Sequence, residues 1–599
     1  MNVFEPGMLS YAGVALLLAM EVLAFVYRRS ILKLLFFSSI AELGLIAASL
    51  PLGQVGQLAS GMHLIYQVVM RFLVLLAILH LGKSRGGFSA EKIRGSGAEQ
   101  PFYGVVFAFG MFSWLGLSPY RGAVSRFILM QELTGQNLWF MASLVTLASI
   151  IAAVYVIDSI QSVCFDRKTS SAEEPTELNS VAEYLLRPYN LLIIAVSAFT
   201  LFVNLSPEHI AYWSHVIFGT SEHLPFEESP WPLTAIVPYG GACILWLMGR
   251  YSPKARDFFA VALGVAIVAL MIVSPREDIV SWCFGMLSAG VMTAAVVYSV
   301  PFFSGKAGGN YYYLFLFWTF GSLMGLSLAD NIPSFYLFWE LATWSSYFLV
   351  VYSRNENALK AGRAYFNICI GSAYVMLLGL LGLGQGGDDL SLAGLSGNIG
   401  AIPPLPLFVF GACVLIGLGA KAGIFPLHSW LPLSYSESPS SFTAAFSAVF
   451  SKIGLLGVFK ILIPIGIGGW SIQYGVLNLG LWMSVLGVVT LLFAEVKALR
   501  EKDVKTMLAY SSMAQLGEIF AVLGIGTALA IGAAVNHMLA HGLMKLLLFF
   551  SVGIVISHTG SRAIRDLRGI ASSMPFVSAA LVLGLLAIMG LPPFAGFTG

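Results

Sequence analysis

The sequence predicts an all-α polytopic membrane protein of about eighteen spans, some of them broken within the bilayer. Three observations carry this. Of 599 residues, 58% are hydrophobic and 10% charged, with a mean hydropathy of +0.83, whereas soluble domains carry about 25% charged residues. Apolar runs of about 20 residues, enough to cross a bilayer as a helix, recur along the whole chain. Finally, lysines and arginines cluster in alternate loops, the pattern that orients membrane proteins.

In order, the expected spans are approximately 8–27, 30–50, 60–82, 101–122, 137–163, 188–205, 231–249, 257–274, 279–303, 311–329, 332–352, 360–384, 405–425, 439–465, 476–497, 504–525, 528–557 and 573–594. Residues Met1–Pro6 carry no basic stretch and no small-residue cleavage site follows the first run, so that run is read as a retained span. Loops after odd-numbered spans hold the basic residues, from Arg28 and Arg29 through Arg167, Lys168 and Lys306 to Arg562, Arg565 and Arg568. Loops 51–59, 206–230, 385–404 and 466–475, after even-numbered spans, hold neither Lys nor Arg. The alternation predicts basic loops in the cytoplasm and both termini outside, with 426–438 its weak point.

Composition also excludes. A net charge of +2 without basic runs gives no nucleic-acid footprint. Cys164, Cys243, Cys283, Cys369 and Cys413 stand singly, with no CxxC and no Cys/His ligand spacing, so no metal site, redox centre or cofactor is expected. Gly417-x-Gly and Gly384-Gln-Gly-Gly lack the βαβ context of a nucleotide site.

Charges inside spans are the informative residues. Lys421 ends an uncharged run over 405–420 and precedes Pro426, which must open the helix. Opened backbone at membrane depth is tolerated only in protein or along a wet cavity, and a charge beside it is a common form of ion site. Glu340, Lys452 and the run His537-x3-His541-x3-Lys545 are the other intramembrane charges. Spacings of four place the last three side chains on one helical stripe, where imidazoles and an amine can pass protons. A Glu–Lys pair also serves as structural glue, Lys452 also suits snorkelling, and a lone His541 is an ordinary buried histidine. Three such groups on one stripe fit the functional reading better.

The first third repeats the last. A shift of 474 pairs Glu21 with Glu495, His63 with His537, Arg71 with Lys545, Arg94-Gly95 with Arg568-Gly569 and Gly116 with Gly590; one gap then overlays Ser38 on Ser511 and Glu42 on Gln515. Gln67 stands where His541 would be, and Arg71 stays protonated at any accessible pH. Residues 1–205 are therefore read as a degenerate half-module of about six spans with a structural or coupling role, 206–230 as a linker, and 231–599 as a transport module of about twelve spans.

Here the chain resembles the antiporter-like proton-translocating subunits of respiratory complex I and of formate hydrogenlyase-type energy-converting hydrogenases, relatives of the large subunits of multisubunit sodium/proton antiporters. The matching motifs are Trp339-Glu340-Leu, Gly419-Ala-Lys421-Ala-Gly-Ile-Phe-Pro426-Leu-His428-Ser-Trp-Leu-Pro432, Lys452-Ile-Gly454, Asp503-Val-Lys505, His537-x3-His541-x3-Lys545 and Gly590-Leu-Pro-Pro-Phe-Ala-Gly596. The resemblance implies an antiporter-like fold, Glu340 and Lys421 as the input pair, Lys452, His537, His541 and Lys545 as a hydrophilic axis, and His428, His63, Arg71 and Arg126 as accessory positions. It implies a proton-translocating or sodium-linked protein without redox chemistry of its own, among other membrane subunits in a bacterial or archaeal cell membrane. The alternatives are a non-transporting scaffold and a component of a cation/proton antiporter. In the family a charged residue, usually lysine, closes the relay just after the Gly-Phe of the second broken helix. Here Gly596-Phe is followed by Thr598 and Gly599, so another polypeptide or residues beyond Gly599 are expected to supply it, with an open apolar flank beside the last span.

Overall fold

Several helix starts are set by side chains that cap the first free N–H groups. Asn331 accepts from Ser334 N at 2.8 Å, Asn355 from Ala358 N at 2.7 Å, Asn478 from Leu481 N at 3.0 Å, and Asp503 from Thr506 N at 3.0 Å. The structure is a computed structural model that describes residues 7–116, 122–165, 232–274, 278–304, 308–385, 390–466 and 478–598. The expected span 188–205, the loop 206–230, nearly all of 164–187 and 466–475, and Arg167, Lys168 and Lys306 lie outside the described residues.

Among the described residues the protein is helical, with three isolated bridges in place of any strand. Twelve helices among the described residues are long and apolar enough to cross a membrane. The chain divides into two compact units, Met1–Glu228 and Ser229–Gly599.

In the first unit, Met8–Val26 and Ile31–Ser49 pack backbone to backbone. A Cβ on Gly13 would lie 2.6 Å from Gly44 O, and one on Gly44 would lie 2.7 Å from Gly13 O, so only glycine allows this approach. Gln54–Ser84, Pro101–Trp114, Gly122–Gly135 and Trp139–Ile160 complete the described helices that matter here. The helix Gly122–Gly135 corrects the sequence expectation, which ended a span at 122 and left a loop up to 137. Its polar face, with Ser125, Arg126 and Glu132, lowers its hydropathy below that of a simple span.

The second unit runs through Leu233–Tyr251, Pro253–Val273, Ile279–Phe303, Gly309–Leu328, Ile332–Val350, Glu356–Leu383 and Pro404–Ala422. There the chain breaks, and a short helix Trp430–Glu437 occupies what the sequence suggested was loop. The expected span 439–465 is itself interrupted. An α-helix Ser440–Ala448 gives way to a 3-10 turn Phe450–Lys452, a short α-helix Ile453–Gly457 and a π-helical turn Val458–Leu462. This segment is the centre of the unit, since 94% of its apolar window is buried against 33% for Leu479–Arg500. Val504–Leu523, Ala528–Thr559 and Pro575–Ile588 follow.

Residues paired by the 474 shift with its one-residue gap make matching contacts. Gly487 and Gly517 approach as Gly13 and Gly44 do, with a Cβ on Gly487 falling 2.5 Å from Gly517 O. The bridge Ser30–Ser89 has its counterpart in Asp503–Ala563, and a third, Asn331–Ser391, joins the same kind of loop elsewhere in the second unit.

Candidate functional site

Breaks in two helices position the lysines. Lys421 lies in the last turn of Pro404–Ala422, and Gly423, at φ 74°, takes the left-handed conformation that stops the helix. Lys421 is fully buried. Its ammonium donates to Thr343 Oγ1, whose own hydrogen is held by Trp339 O at 3.1 Å. Ring faces complete the cage, with the ammonium 4.6 Å from the Phe450 centroid, 5.5 Å from Tyr365 and 5.7 Å from Trp339. Such faces carry negative charge and suit a cation. Glu340, fully buried one helical turn before Thr343, reaches the ammonium through its field. Thr343, which the motifs do not mark, is thus the acceptor that the structure places on Lys421.

Lys452, also fully buried, ends the 3-10 turn that begins with Phe450, and donates to Ser447 O at 2.9 Å. Phe450 therefore stands between the two lysines in the chain and presents its ring to the first. On Ala528–Thr559, His537 Nε2 meets Gln515 Oε1 at 2.8 Å, and Lys545 donates to Ser511 Oγ at 2.9 Å and Leu508 O at 3.1 Å. The His537 and His541 rings lie nearly parallel with centroids 6.2 Å apart, as the spacing of four predicts. His541 is fully buried, and neither ring nitrogen has a hydrogen-bond partner among the described residues. Lys452, Lys545 and His537 act on it electrostatically. The five groups Lys421, Lys452, His537, His541 and Lys545 thus line the interior of one unit.

His428 stacks on Phe425 at 5.4 Å and meets Phe493 edge-on at 4.8 Å. Lys460, eight residues beyond Lys452 in the π-helical turn, escapes the sequence reading. It donates to Ala329 O at 2.7 Å, with Asp278 and Asp330 acting on it.

In the first unit, His63, Arg71 and Arg126 are held by carboxylates and amides. His63 Nε2 meets Glu42 Oε2 at 2.7 Å and Arg126 donates to Glu42 Oε1 at 2.6 Å, while Arg71 donates to Gln67 Oε1 at 2.7 Å and Ser38 O at 3.0 Å. The paired positions correspond: His63–Glu42 matches His537–Gln515, and Arg71 to Ser38 matches Lys545 to Ser511. Glu42 enters the sequence reading only as a repeat partner of Gln515, although an intramembrane carboxylate is itself a functional signal.

The sequence matches the family described as "NADH:quinone oxidoreductase/Mrp antiporter, TM" over residues 6–152 and 329–599. The chain belongs to this family. It is 31% identical to NADH-quinone oxidoreductase subunit N of Desulforudis audaxviator over 404 residues, covering 63% of this chain and 78% of that protein. It is 34% identical to a Na(+)/H(+) antiporter subunit of Alkalihalophilus pseudofirmus over 339 residues, 53% of this chain and 41% of that one. Hydrogenase-4 component B of Escherichia coli is 31% identical over 288 residues, 46% of this chain and 42% of that one. The chain thus spans less than half the length of the antiporter and hydrogenase relatives. Among solved structures, the archaeal membrane-bound sulfane sulfur reductase aligns with a TM-score of 0.55 at 25% identity, over 61% of this chain and 79% of that one. The Mrp complex of Dietzia sp. aligns at 0.57 and 23% identity, over 61% and 42%, which supports the fold. This family member is a polytopic integral membrane protein with the antiporter-like fold, and its structural neighbours are subunits of multisubunit membrane complexes.

Proposed function

We propose that the chain is the proton-translocating membrane subunit of a redox-driven complex related to complex I or to a membrane hydrogenase. The carrying observation is that two fully buried lysines each stand at a helix break and share one unit with His541, a buried imidazole whose nitrogens have no partner among the described residues. A buried polar group of this kind calls for water, and water beside two amines and an imidazole makes a chain able to pass protons.

In this reading Glu340 and Lys421 are the input pair. The Glu340 carboxylate acts on the ammonium through its field, so a change of charge at Glu340 alters how firmly Lys421 holds its proton. Lys452, His541, Lys545 and His537 carry the proton onward along the axis. Residues 231–599 form the transport module, and 1–205 a half-module preceding it. The basic loops face the cytoplasm, so single cysteines in loops 83–100 and 385–404 label from opposite sides; labelling from one side refutes that topology.

Lys421→Ala tests the function directly. In the assembled complex it abolishes proton translocation while electron transfer remains measurable. Unchanged translocation removes Lys421 from the mechanism. The Na(+)/H(+) antiporter relatives support a second reading, exchange of a cation for protons without redox chemistry. Proton movement driven by a sodium gradient in proteoliposomes, without an electron donor, distinguishes the two.

A further inference from the structure

One of the departures of the first unit from the second places a carboxylate on a histidine. Where the second unit has Gln515 against His537, the first has Glu42 against His63. Glu42 is 1% exposed and His63 4%. The carboxylate uses both oxygens, Oε2 on His63 at 2.7 Å and Oε1 on Arg126 at 2.6 Å. The other imidazole nitrogen, Nδ1, lies 2.9 Å from Ser125 Oγ. Ser125 and Arg126 share the half-helix Gly122–Gly135, and Ser149 Oγ accepts from Arg126 at 3.2 Å. The imidazole is therefore held at both nitrogens, by an anion on one side and a hydroxyl on the other. A hydroxyl donates or accepts equally well, so both the neutral and the charged ring find partners without moving.

The remaining charged and titratable neighbours are Arg71, from the helix that carries His63, and Glu21, which accepts from Tyr155 OH at 2.7 Å. Protonation of His63 adds one positive charge to this cluster.

We propose that His63 is a proton-loading site of the first unit, with Glu42 as its counter-ion and Ser125 as its proton port. In the unloaded state Nε2–H donates to Glu42 and Nδ1 accepts from the Ser125 hydroxyl. On loading, a hydronium ion at Ser125 gives its proton to Oγ and leaves as neutral water, while the original Ser125 O–H bond breaks as the Nδ1–H bond forms. The ring gains one positive charge, and Nδ1–H then donates to Ser125. Glu42 now bridges two cations, so loading tightens the grip between the half-helix Gly122–Gly135 and the helix Gln54–Ser84. A titratable site of this kind gives the first unit an active part, where Arg71 and Gln67 alone left only a structural one. It does not depend on the relay proposed for the second unit.

The test is solid-state NMR of the full-length chain in lipid, labelled with ¹⁵N-histidine, with the His63 signals among the nine histidines identified by their loss in His63→Gln. The His63 ring is expected to convert between neutral and cationic forms between about pH 5 and pH 8. Loading in Glu42→Gln should need at least about tenfold more protons, because a neighbouring anion is gone. Loading in Arg126→Gln should need fewer protons, because a neighbouring cation is gone; a general folding defect does not move the two in opposite directions. Ser125→Ala, which spares both ion pairs, should also hinder loading. A His63 ring that keeps one form throughout, or conversion indifferent to Glu42→Gln and Ser125→Ala, overturns the proposal.

Discussion

Replacing Thr343 by valine removes one oxygen and almost no volume, and it isolates what the input lysine depends on. Among the described residues, Thr343 Oγ1 is the hydrogen-bond acceptor of the Lys421 ammonium. The hydroxyl is not free to turn away, because its proton is committed to Trp339 O at 3.1 Å, which aims a lone pair at the lysine. A hydrogen bond to a charged group contributes about 1.5–3 kcal/mol. In Thr343→Val the charged form of Lys421 loses that amount, and the ring faces and the field of Glu340 are what remain. Since about 1.36 kcal/mol is a factor of ten, proton translocation limited by recharging of Lys421 should slow roughly ten- to hundredfold. Thr343→Ser keeps the oxygen and should stay near wild type. The assay is proton uptake by proteoliposomes or membrane vesicles containing the complex, normalised to electron transfer. A valine variant that translocates like the serine variant would show that Lys421 does not draw its charge stability from this contact.

Three other changes probe different parts of the structure. His541→Leu should abolish translocation yet leave the melting temperature of the solubilised chain unchanged or higher, because it removes a buried ring without partners among the described residues. Marked destabilisation would mean that the ring is held by structure. Gly487→Leu places a Cβ 2.4 Å from Ala521 N and must force two helices apart, with a loss of about 1–3 kcal/mol or more seen as a lower melting temperature; a neutral result would refute the backbone contact. Arg562, whose side chain is 40% exposed, bonds Ser436 O at 2.8 Å and Asp503 Oδ2 at 3.2 Å. Arg562→Ala should therefore destabilise by under about 1 kcal/mol, and by less in high salt.

The charges and the breaks were legible because each violates the membrane's rules: a lysine in an apolar run and a proline after it need a reason. The repeat was legible because glycines, histidines and charges kept one register. Thr343 and Phe450 were not, since a threonine and a phenylalanine are ordinary in any span and acquire meaning only when a second helix brings a lysine to them. The half-helix Gly122–Gly135 was lost to the same cause that makes it interesting, because Ser125, Arg126 and Glu132 dilute its hydropathy and a hydropathy reading assigns such a stretch to loop. The interruptions of Ser440–Leu462 leave no local mark either, as neither proline nor a glycine pair lies at Phe450–Lys452. Only packing against neighbours imposes them.

The position of Lys421 and Lys452 at interrupted helix ends also has an electrical meaning. The peptide dipoles of a helix sum to roughly half a negative charge at its C-terminal pole. An unbroken span places that pole in the headgroups, where water screens it. Here two poles lie within the protein, one in the last turn of Pro404–Ala422 beside Lys421, the other at the end of Ser440–Ala448, where Ser447 O takes the Lys452 ammonium. A lysine that gives up its proton leaves those carbonyls facing a neutral amine, and the uncompensated pole then draws positive charge back. Each break thus works as a restoring force: whatever drives a proton off the lysine must act against it, and once the drive is removed the site refills from whichever side offers a proton.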